Sequence, residues 1–260
     1  MKLLLKIMYD GTAYSGYQAQ PDRPSVQKTL TEAFTEGFGF PCTVTGCSRT
    51  DAGVHALGFC AAVEPVSEDD RITVPTGRVH RAVRRYLPED ISICGEADVP
   101  DELHPRYSVI GKEYLYRMYD TVYEDPFERT RAWHLKHHLS DRAIERMNEA
   151  AAYLVGRHDF TSFMATGSSV TDAVRSVYSC EVKRSGSFVE LRISADGFLY
   201  NMVRIITGTL ADYAIGDSSP ERILHMLEKR DRSAAGRTAP PHGLYLARVW
   251  YDRELEWKIE

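Results

Sequence analysis

The stretch of residues 46–59, Gly-Cys-Ser-Arg-Thr-Asp-Ala-Gly-Val-His-Ala-Leu-Gly-Phe, is the segment that the rest of the chain presents. It places Arg49, Asp51 and His55 close together with two glycines, Gly46 and Gly53, and apolar runs lie on either side. A carboxylate two residues from a guanidinium, with glycine at the bend, indicates a loop that directs charge at a ligand. A polar turn between two strands explains the same spacing, so the local pattern leaves both interpretations open.

Composition favours a globular protein without a membrane segment. The chain has 260 residues, of which 43% are hydrophobic and 27% charged, and no apolar run approaches the ~20 residues that cross a bilayer. The N-terminal residues show no signal-peptide pattern, so we expect a cytoplasmic location. The five cysteines form no CxxC pair, which argues against a disulfide framework and a structural zinc site.

The distribution of basic residues matters more than the formal net charge of −5, which argues only weakly against a nucleic-acid partner. Residues 76–86 are predicted to form an amphipathic helix with Val79 and Val83 on its apolar face. The arginines that lie mostly off this face are Arg78, Arg81, Arg84 and Arg85. Taken alone, such a helix face is most simply explained as solvated.

A second basic cluster changes that interpretation. Its members are Arg129, Arg131, His134, Lys136, His137, His138 and Arg142. Two concentrated basic patches in a mildly acidic chain predict a surface that binds a polyanion. The three histidines have no carboxylate or cysteine at a convincing ligand spacing, so we expect no metal.

The order of predicted elements indicates the α+β class. Strands and helices alternate in two α/β halves, residues 1–105 and 106–260, and residues 108–119 are predicted to form a long strand with Tyr114 and Tyr116 on one face. No glycine-rich strand-to-helix turn fits a dinucleotide or P-loop pattern, and GxSxG and HExxH are absent from the sequence. Oxidoreductases, NTPases and the common hydrolases are therefore unsupported.

Several separate motifs occur in the order found in one known family, and they span nearly the whole chain. They are Tyr9-Asp10-Gly11, Gly16-Tyr17-Gln18-Ala19-Gln20, Arg49-Thr50-Asp51-Ala52-Gly53-Val54-His55-Ala56, Leu87-Pro88-Glu89-Asp90-Ile91, His104-Pro105-Arg106-Tyr107-Ser108, Lys112-Glu113-Tyr114-Leu115-Tyr116, Asp159-Phe160-Thr161-Ser162-Phe163, Asn201-Met202-Val203-Arg204 and Thr238-Ala239-Pro240-Pro241-His242-Gly243-Leu244-Tyr245-Leu246. This series resembles the TruA-type tRNA pseudouridine synthases. The departures are small: Tyr17 stands where tryptophan is common, and Ser48 where glycine is common.

The resemblance implies isomerisation of uridine to pseudouridine at positions 38–40 of the tRNA anticodon stem–loop. It also implies an enzyme without a cofactor, usually a homodimer, whose two halves share a mixed, largely antiparallel sheet flanked by helices. The active-site cleft would lie between the halves. The family's essential aspartate, in its Arg-Thr-Asp motif, matches Asp51. The tyrosine of its Lys-x-Tyr-x-Tyr-like strand matches Tyr114, and the arginine that ends Met-Val-Arg matches Arg204.

These residues suit the chemistry that the resemblance implies. An ionised Asp51 can attack C1′ or C6 of the nucleotide, or assist loss of a 2′ proton. A buried carboxylate needs an opposite charge within ~4–6 Å, and we predict that Arg204 supplies it. Arg49 is expected to help extrude the target base, and Tyr114 to stack on it.

The remaining candidate residues have supporting roles. Phe198 and Met202 either form an apolar wall for the base or belong to the core, and the sequence favours neither. His55 is expected to shape the loop, and Arg78, Arg81 and Arg85 to contact RNA. The principal alternative function is a non-catalytic RNA-binding module, which would need neither the Arg49–Asp51 pair nor Arg204.

Overall fold

The computed structural model describes residues 2–167, 170–216 and 219–259. The chain divides into two compact units, one of Met1–Ile110 with Leu246–Glu260 and one of Gly111–Tyr245. The predicted division into residues 1–105 and 106–260 differs from these bounds in two ways. The first unit extends to Ile110, and the end of the chain returns to it.

Ten strands and five α-helices are present in the described part of the chain. The strands are β1 (Lys2–Tyr9), β2 (Cys42–Gly46), β3 (His55–Pro65), β4 (Ile91–Val99), β5 (Val109–Tyr119), β6 (Trp133–His134), β7 (Gly156–Asp159), β8 (Val174–Ser185), β9 (Phe188–Ala195) and β10 (Leu244–Tyr251). The helices are α1 (Val26–Phe38), α2 (Val79–Val83), α3 (Asp141–Ala152), α4 (Met202–Ile215) and α5 (Arg222–Lys229).

The sheet of the first unit is antiparallel. Strand β1 pairs with β3 on one side and β4 on the other, and β2 also pairs with β3. For helix α1 the sequence predicts a cap at Ser25 and an end at Gly37 and Gly39. In the structure the Ser25 hydroxyl accepts from the Lys28 amide at 3.4 Å, and Gly39 ends the helix at φ 79°. Its apolar face is buried because Val26, Leu30 and Phe34 recur at helical spacing.

The predicted helix over residues 76–86 is wrong in length. Helix α2 begins only at Val79, and a 3₁₀ turn replaces its last part from Arg84 onward. The reason lies in β4, where the buried carboxylate of Glu96 accepts from the amides of Gly77 at 2.7 Å, Val79 at 3.0 Å and His80 at 2.7 Å. A carboxylate that satisfies these first N–H groups fixes where the helix starts.

The second unit is also a largely antiparallel sheet covered by helices. Its strands follow the order β5-β9-β8-β7, and the short β6 runs parallel to β5. Tyr114 and Tyr116 are buried on β5, which confirms the strand prediction. Ser219 and Pro220, a cap residue followed by proline, predict a helix that starts directly after them, but α5 begins only at Arg222. Taken unit by unit, the architecture confirms the α+β class and its mixed, largely antiparallel strands.

The described residues contain neither a candidate membrane span nor a candidate metal cluster. None of their helices is long and apolar enough to cross a membrane. None of their His, Cys, Asp and Glu side chains cluster in groups of three or more that would hold a metal ion.

A buried carboxylate ties three elements of the second unit together. Asp120, directly after β5, accepts from the Leu139 amide at 2.8 Å and from the two terminal nitrogens of Arg184 at 3.2 and 3.0 Å. The His138 ring lies 3.1 Å away. Burial raises the pKa of Asp120, but the bonds from Arg184 and Leu139 outweigh it and hold that pKa below its usual range.

We predict that Asp120→Asn lowers the free energy of unfolding by about 1.5–3 kcal/mol at pH 7, because hydrogen bonds to a charged group are lost. Because the pKa of Asp120 is lower in the folded state, its ionised carboxylate stabilises the fold at pH values above the pKa of the group in the unfolded chain. The difference between wild type and variant should therefore shrink below about pH 4. Urea unfolding measures both effects. Asp252→Asn, which removes only an exposed pair with Arg253, is the control, and an equal loss in the two variants would contradict the prediction.

Candidate active site

The Asp51 loop connects β2 to β3 and is held by the segment that precedes α1. The Tyr17 amide donates to the Thr50 carbonyl at 3.1 Å, and the Gly53 amide donates to the Tyr14 carbonyl at 3.3 Å. Behind the loop, the buried Tyr9 and Thr50 hydroxyls lie 2.8 Å apart in a hydrogen bond. Three bonds on both sides of Asp51 therefore fix the backbone that carries it.

Gly16 allows this close approach. Its φ is +102°, and a Cβ placed there would lie 2.6 Å from the Thr50 carbonyl oxygen. Any other residue would combine a disfavoured backbone conformation with a clash against the loop. The motif that contains Gly16 stands out in the sequence, but nothing in its spacing indicates that it packs on the Asp51 loop.

His55 shapes the loop from inside. Its side chain is only 2% exposed, and its Nδ1 accepts from the Gly11 amide at 3.0 Å. The Asp10 carboxylate lies 3.2 Å from the same nitrogen. At this depth the His55 ring contacts only the protein interior, where its bond from Gly11 helps to set the shape of the loop.

The other two candidate residues of the loop, Asp51 and Arg49, are accessible to solvent. Asp51 is half-buried and Arg49 is exposed. The Val54 amide donates to the Asp51 carbonyl at 3.1 Å, which closes the turn after the carboxylate. The loop thus presents a carboxylate at the margin of the packed core, with a guanidinium two residues away in solvent.

The basic residues of the α2 region are on the surface. Arg78, Arg81 and Arg85 are exposed, and the Arg85 guanidinium lies 5.0 Å from the centre of the Tyr86 ring. Glu96 fixes the start of this short basic segment, so its arginines project from a defined backbone.

The second predicted basic cluster is partly neutralised. Arg142 forms ion pairs with Glu145 at 3.1 Å and Glu149 at 3.0 Å. His138 faces Asp120. These acidic partners are distant in sequence or lie along α3, so the number of basic residues overestimates the positive surface here.

Two candidates in the second unit, Tyr114 and Phe198, are in contact. Tyr114, buried on β5, meets the Phe198 ring edge to face at 5.0 Å between centroids. Phe198 remains half-buried, whereas Met202 is 1% exposed at the start of α4. Met202 therefore belongs to the core, which decides between the two roles that the sequence left open.

Arg204 lies in the first turn of α4, and its side chain contacts the segment before β10. Its Nε donates to the Ala239 carbonyl at 2.8 Å, while the Ala239 amide donates back to the Arg204 carbonyl at 3.0 Å. A terminal nitrogen donates to the Asn201 side chain at 2.6 Å. At Gly208 a Cβ would overlap the Arg237 carbonyl oxygen, so the absence of a side chain lets the segment approach the helix. The motif at 238–246 is visible in the sequence, but its role in holding Arg204 is not.

Gly16→Ala should destabilise the protein more than Gly39→Ala. Both glycines have positive φ, so alanine costs about 1–2 kcal/mol at either position, but nothing lies within 4 Å of a Cβ at Gly39. The excess loss at Gly16 therefore measures the contact with Thr50. Chemical unfolding gives both values, and equal losses would mean that the loop moves aside without cost.

Comparison with known proteins identifies the family. Residues 150–252 match the sequence profile of the family described as tRNA pseudouridine synthase. The chain is 41% identical over 254 residues to tRNA pseudouridine synthase A of Bacillus subtilis, covering 97% of this chain and 100% of the relative. For the protein of the same name from Bacillus licheniformis, the identity is 42% with the same coverage.

Two further similarities complete the comparison. The chain is 40% identical over 250 residues to tRNA pseudouridine synthase A 2 of Clostridium tetani, covering 95% of this chain and 98% of the relative. Among solved structures, "Crystal Structure of a Cbf5-Nop10-Gar1 Complex" matches at 13% identity over 94% of this chain and 58% of that one, with a TM-score of 0.38 too low to inform the fold. Identity near 40% over almost the full length of each curated relative shows that this chain belongs to the tRNA pseudouridine synthase A (TruA) family.

Proposed function

We propose that this chain isomerises uridine to pseudouridine at positions 38–40 of the tRNA anticodon stem–loop, with Asp51 as the group that breaks the glycosidic bond. Uridine-to-pseudouridine isomerisation in tRNA is the activity of its family. The observation that carries the assignment to Asp51 is its setting, a half-buried carboxylate on a loop whose backbone is fixed on both sides. Bond cleavage requires a reacting group that is held in a defined position relative to the substrate.

The reaction retains every heavy atom of the base and exchanges one proton with solvent. The N1–C1′ bond breaks, the uracil rotates, a C5–C1′ bond forms, and the proton on C5 is lost while N1 gains one. Asp51 serves this sequence as a nucleophile at C1′ or C6, or as the base that removes the 2′ proton. Each route uses the ionised carboxylate.

Arg49 and Tyr114 are assigned to the extruded base. Removing a base from its stack costs a few kcal/mol, and the exposed guanidinium of Arg49 suits the vacated position or the adjacent phosphate. Stacking on an aromatic ring returns ~1–3 kcal/mol, and Tyr114 with Phe198 offers such a pair of rings. Tyr114 is also our candidate acceptor for the C5 proton.

Arg204 is assigned to the same reaction as the cation that keeps Asp51 charged. Its side chain bonds to Ala239 and Asn201, so its guanidinium is held in one orientation. The pairing of Arg204 with Asp51 stays a prediction from charge, because a nearby positive charge favours the ionised form of a carboxylate.

Asp51→Ala should abolish turnover, by at least about 10³-fold, while tRNA affinity stays near that of wild type. The reason is that the carboxylate acts on the bond, whereas the arginines bind phosphate. Tritium release from [5-³H]uridine-labelled tRNA measures turnover, and filter binding measures affinity.

Arg204 provides the companion variants in that assay. Arg204→Gln should lower the rate strongly and Arg204→Lys should retain part of it, because lysine keeps the charge. Residual pseudouridine from Asp51→Ala would refute the role of the carboxylate. Wild-type binding of tRNA without tritium release would favour a binding module over an enzyme.

Replacing Arg78, Arg81 and Arg85 together by alanine should weaken tRNA binding and reduce the slope of log affinity against log salt by about 3, because three phosphates are no longer neutralised. The matched control replaces Lys28, Lys183 and Arg253, three exposed cations outside the α2 region. If the two triple variants have the same salt slope, the α2 arginines only face solvent.

Two properties implied by the family remain proposals. The enzyme is proposed to be a homodimer, which sedimentation equilibrium tests directly. It is proposed to act in the cytoplasm without cofactor or metal, so turnover should survive exhaustive dialysis against a chelator.

A further inference from the structure

A second feature of the first unit lies beside the Asp51 loop. It is an open cavity of about 210 Å³ whose lining includes Tyr17, Gly46, Arg49, His104, Arg106 and Tyr107. The volume is below the about 300–1,000 Å³ of pockets that enclose a whole drug-sized ligand. A cavity of this size suits one part of a longer chain better than a free small molecule.

Tyr107 forms an exposed aromatic platform at this cavity. Its side chain is 76% exposed, yet its ring packs on the His104 ring at 4.3 Å with a tilt of 31°. His104 is itself fixed, because its Nδ1 accepts from the amides of Arg106 at 3.1 Å and Tyr107 at 3.2 Å. An exposed ring backed by an ordered one is a stacking surface for a base.

Positive charge borders the same platform. Arg49 and Arg106 are both exposed, and the Arg106 guanidinium lies 5.7 Å from the centre of the Tyr107 ring. Two guanidinium groups beside an aromatic surface combine the phosphate and base contacts that single-stranded RNA requires.

The wall of the cavity contains a polar atom without a partner. The Tyr17 hydroxyl is buried and has no hydrogen-bond partner among the described residues. Its ring stacks on Phe59 at 4.3 Å, and a Cβ at Gly46 would lie 2.6 Å from the hydroxyl. Burial raises the pKa of Tyr17, so the group stays a donor. Native proteins seldom leave such a donor unsatisfied, and water or a ligand commonly completes it.

We propose that this cavity is a subsite for an unpaired nucleotide next to the target uridine, with its base on Tyr107 and its phosphate on Arg106. The Tyr17 hydroxyl donates to an oxygen of that nucleotide, directly or through one water. The identity of the ligand as tRNA rests on the proposed function. The subsite itself goes beyond it, because none of its chemistry touches the bond that breaks.

The test combines protein variants with abasic RNA. Tyr107→Leu should weaken binding of an anticodon stem–loop by about 5- to 150-fold, the range for loss of one stacked base, and raise KM while kcat at saturation stays near wild type. Tyr107→Phe should restore binding. Tyr123→Leu, which removes another exposed tyrosine that does not line the cavity, is the matched control and should bind like wild type.

A scan of single abasic sites through the loop then identifies the occupant. Removing the stacked base should weaken binding to wild type but add no further loss in Tyr107→Leu, which is the signature of a direct contact. Wild-type affinity in Tyr107→Leu, or additive losses at every position, would overturn the subsite. Unchanged affinity in Tyr17→Phe would overturn the role of the hydroxyl.

The two proposals fail in distinguishable ways. Binding is measured without turnover, so the Tyr107 variants report on the subsite whether or not pseudouridine forms. Absence of tritium release from wild type with intact tRNA would instead refute the proposed function.

Discussion

The close approach of the backbone around Gly16 to the loop at Thr50 is the constraint on which the candidate site depends. The Tyr17 amide meets the Thr50 carbonyl at 3.1 Å, and no side chain fits between them at Gly16. Main-chain bonds on both sides of Asp51, supported by the bond between the Tyr9 and Thr50 hydroxyls, give the backbone at Asp51 a fixed position. A carboxylate on such a preorganised loop can react without a prior rearrangement of the backbone that carries it.

Arg204 is held by the same physical device in the second unit. The Ala239 amide and the Arg204 carbonyl bond at 3.0 Å across a contact that Gly208 permits, and the Tyr116 hydroxyl anchors the next carbonyl, that of Pro240, at 2.7 Å. Asp51 thus lies on a loop, and Arg204 at the start of a helix, that a neighbouring segment of the chain holds in place. The chain keeps glycine where the two backbones must touch.

Local patterns predicted the elements whose signals are local. Helix α1 follows from Ser25, Gly39 and the apolar spacing between them, and β5 follows from alternation around Tyr114. Prediction failed where distant groups intervene. Glu96 on β4 sets the start of α2, and Asp120, 18 positions earlier in the chain, faces His138, which the sequence alone presents as part of a basic cluster. Neither effect leaves a trace in the spacing of the residues it alters.

The amino-acid sequence alone determined the α+β class, the family, and the motif residues Asp51, Tyr114 and Arg204, because these depend on residue types in a fixed order along the chain. Only the tertiary structure decided that His55 works from inside the loop, that Met202 is core, and that Tyr17, Arg106 and Tyr107 border one cavity with Arg49. Those properties arise from groups far apart in sequence that fold to within a few ångströms, where burial and hydrogen bonding set what each side chain can do.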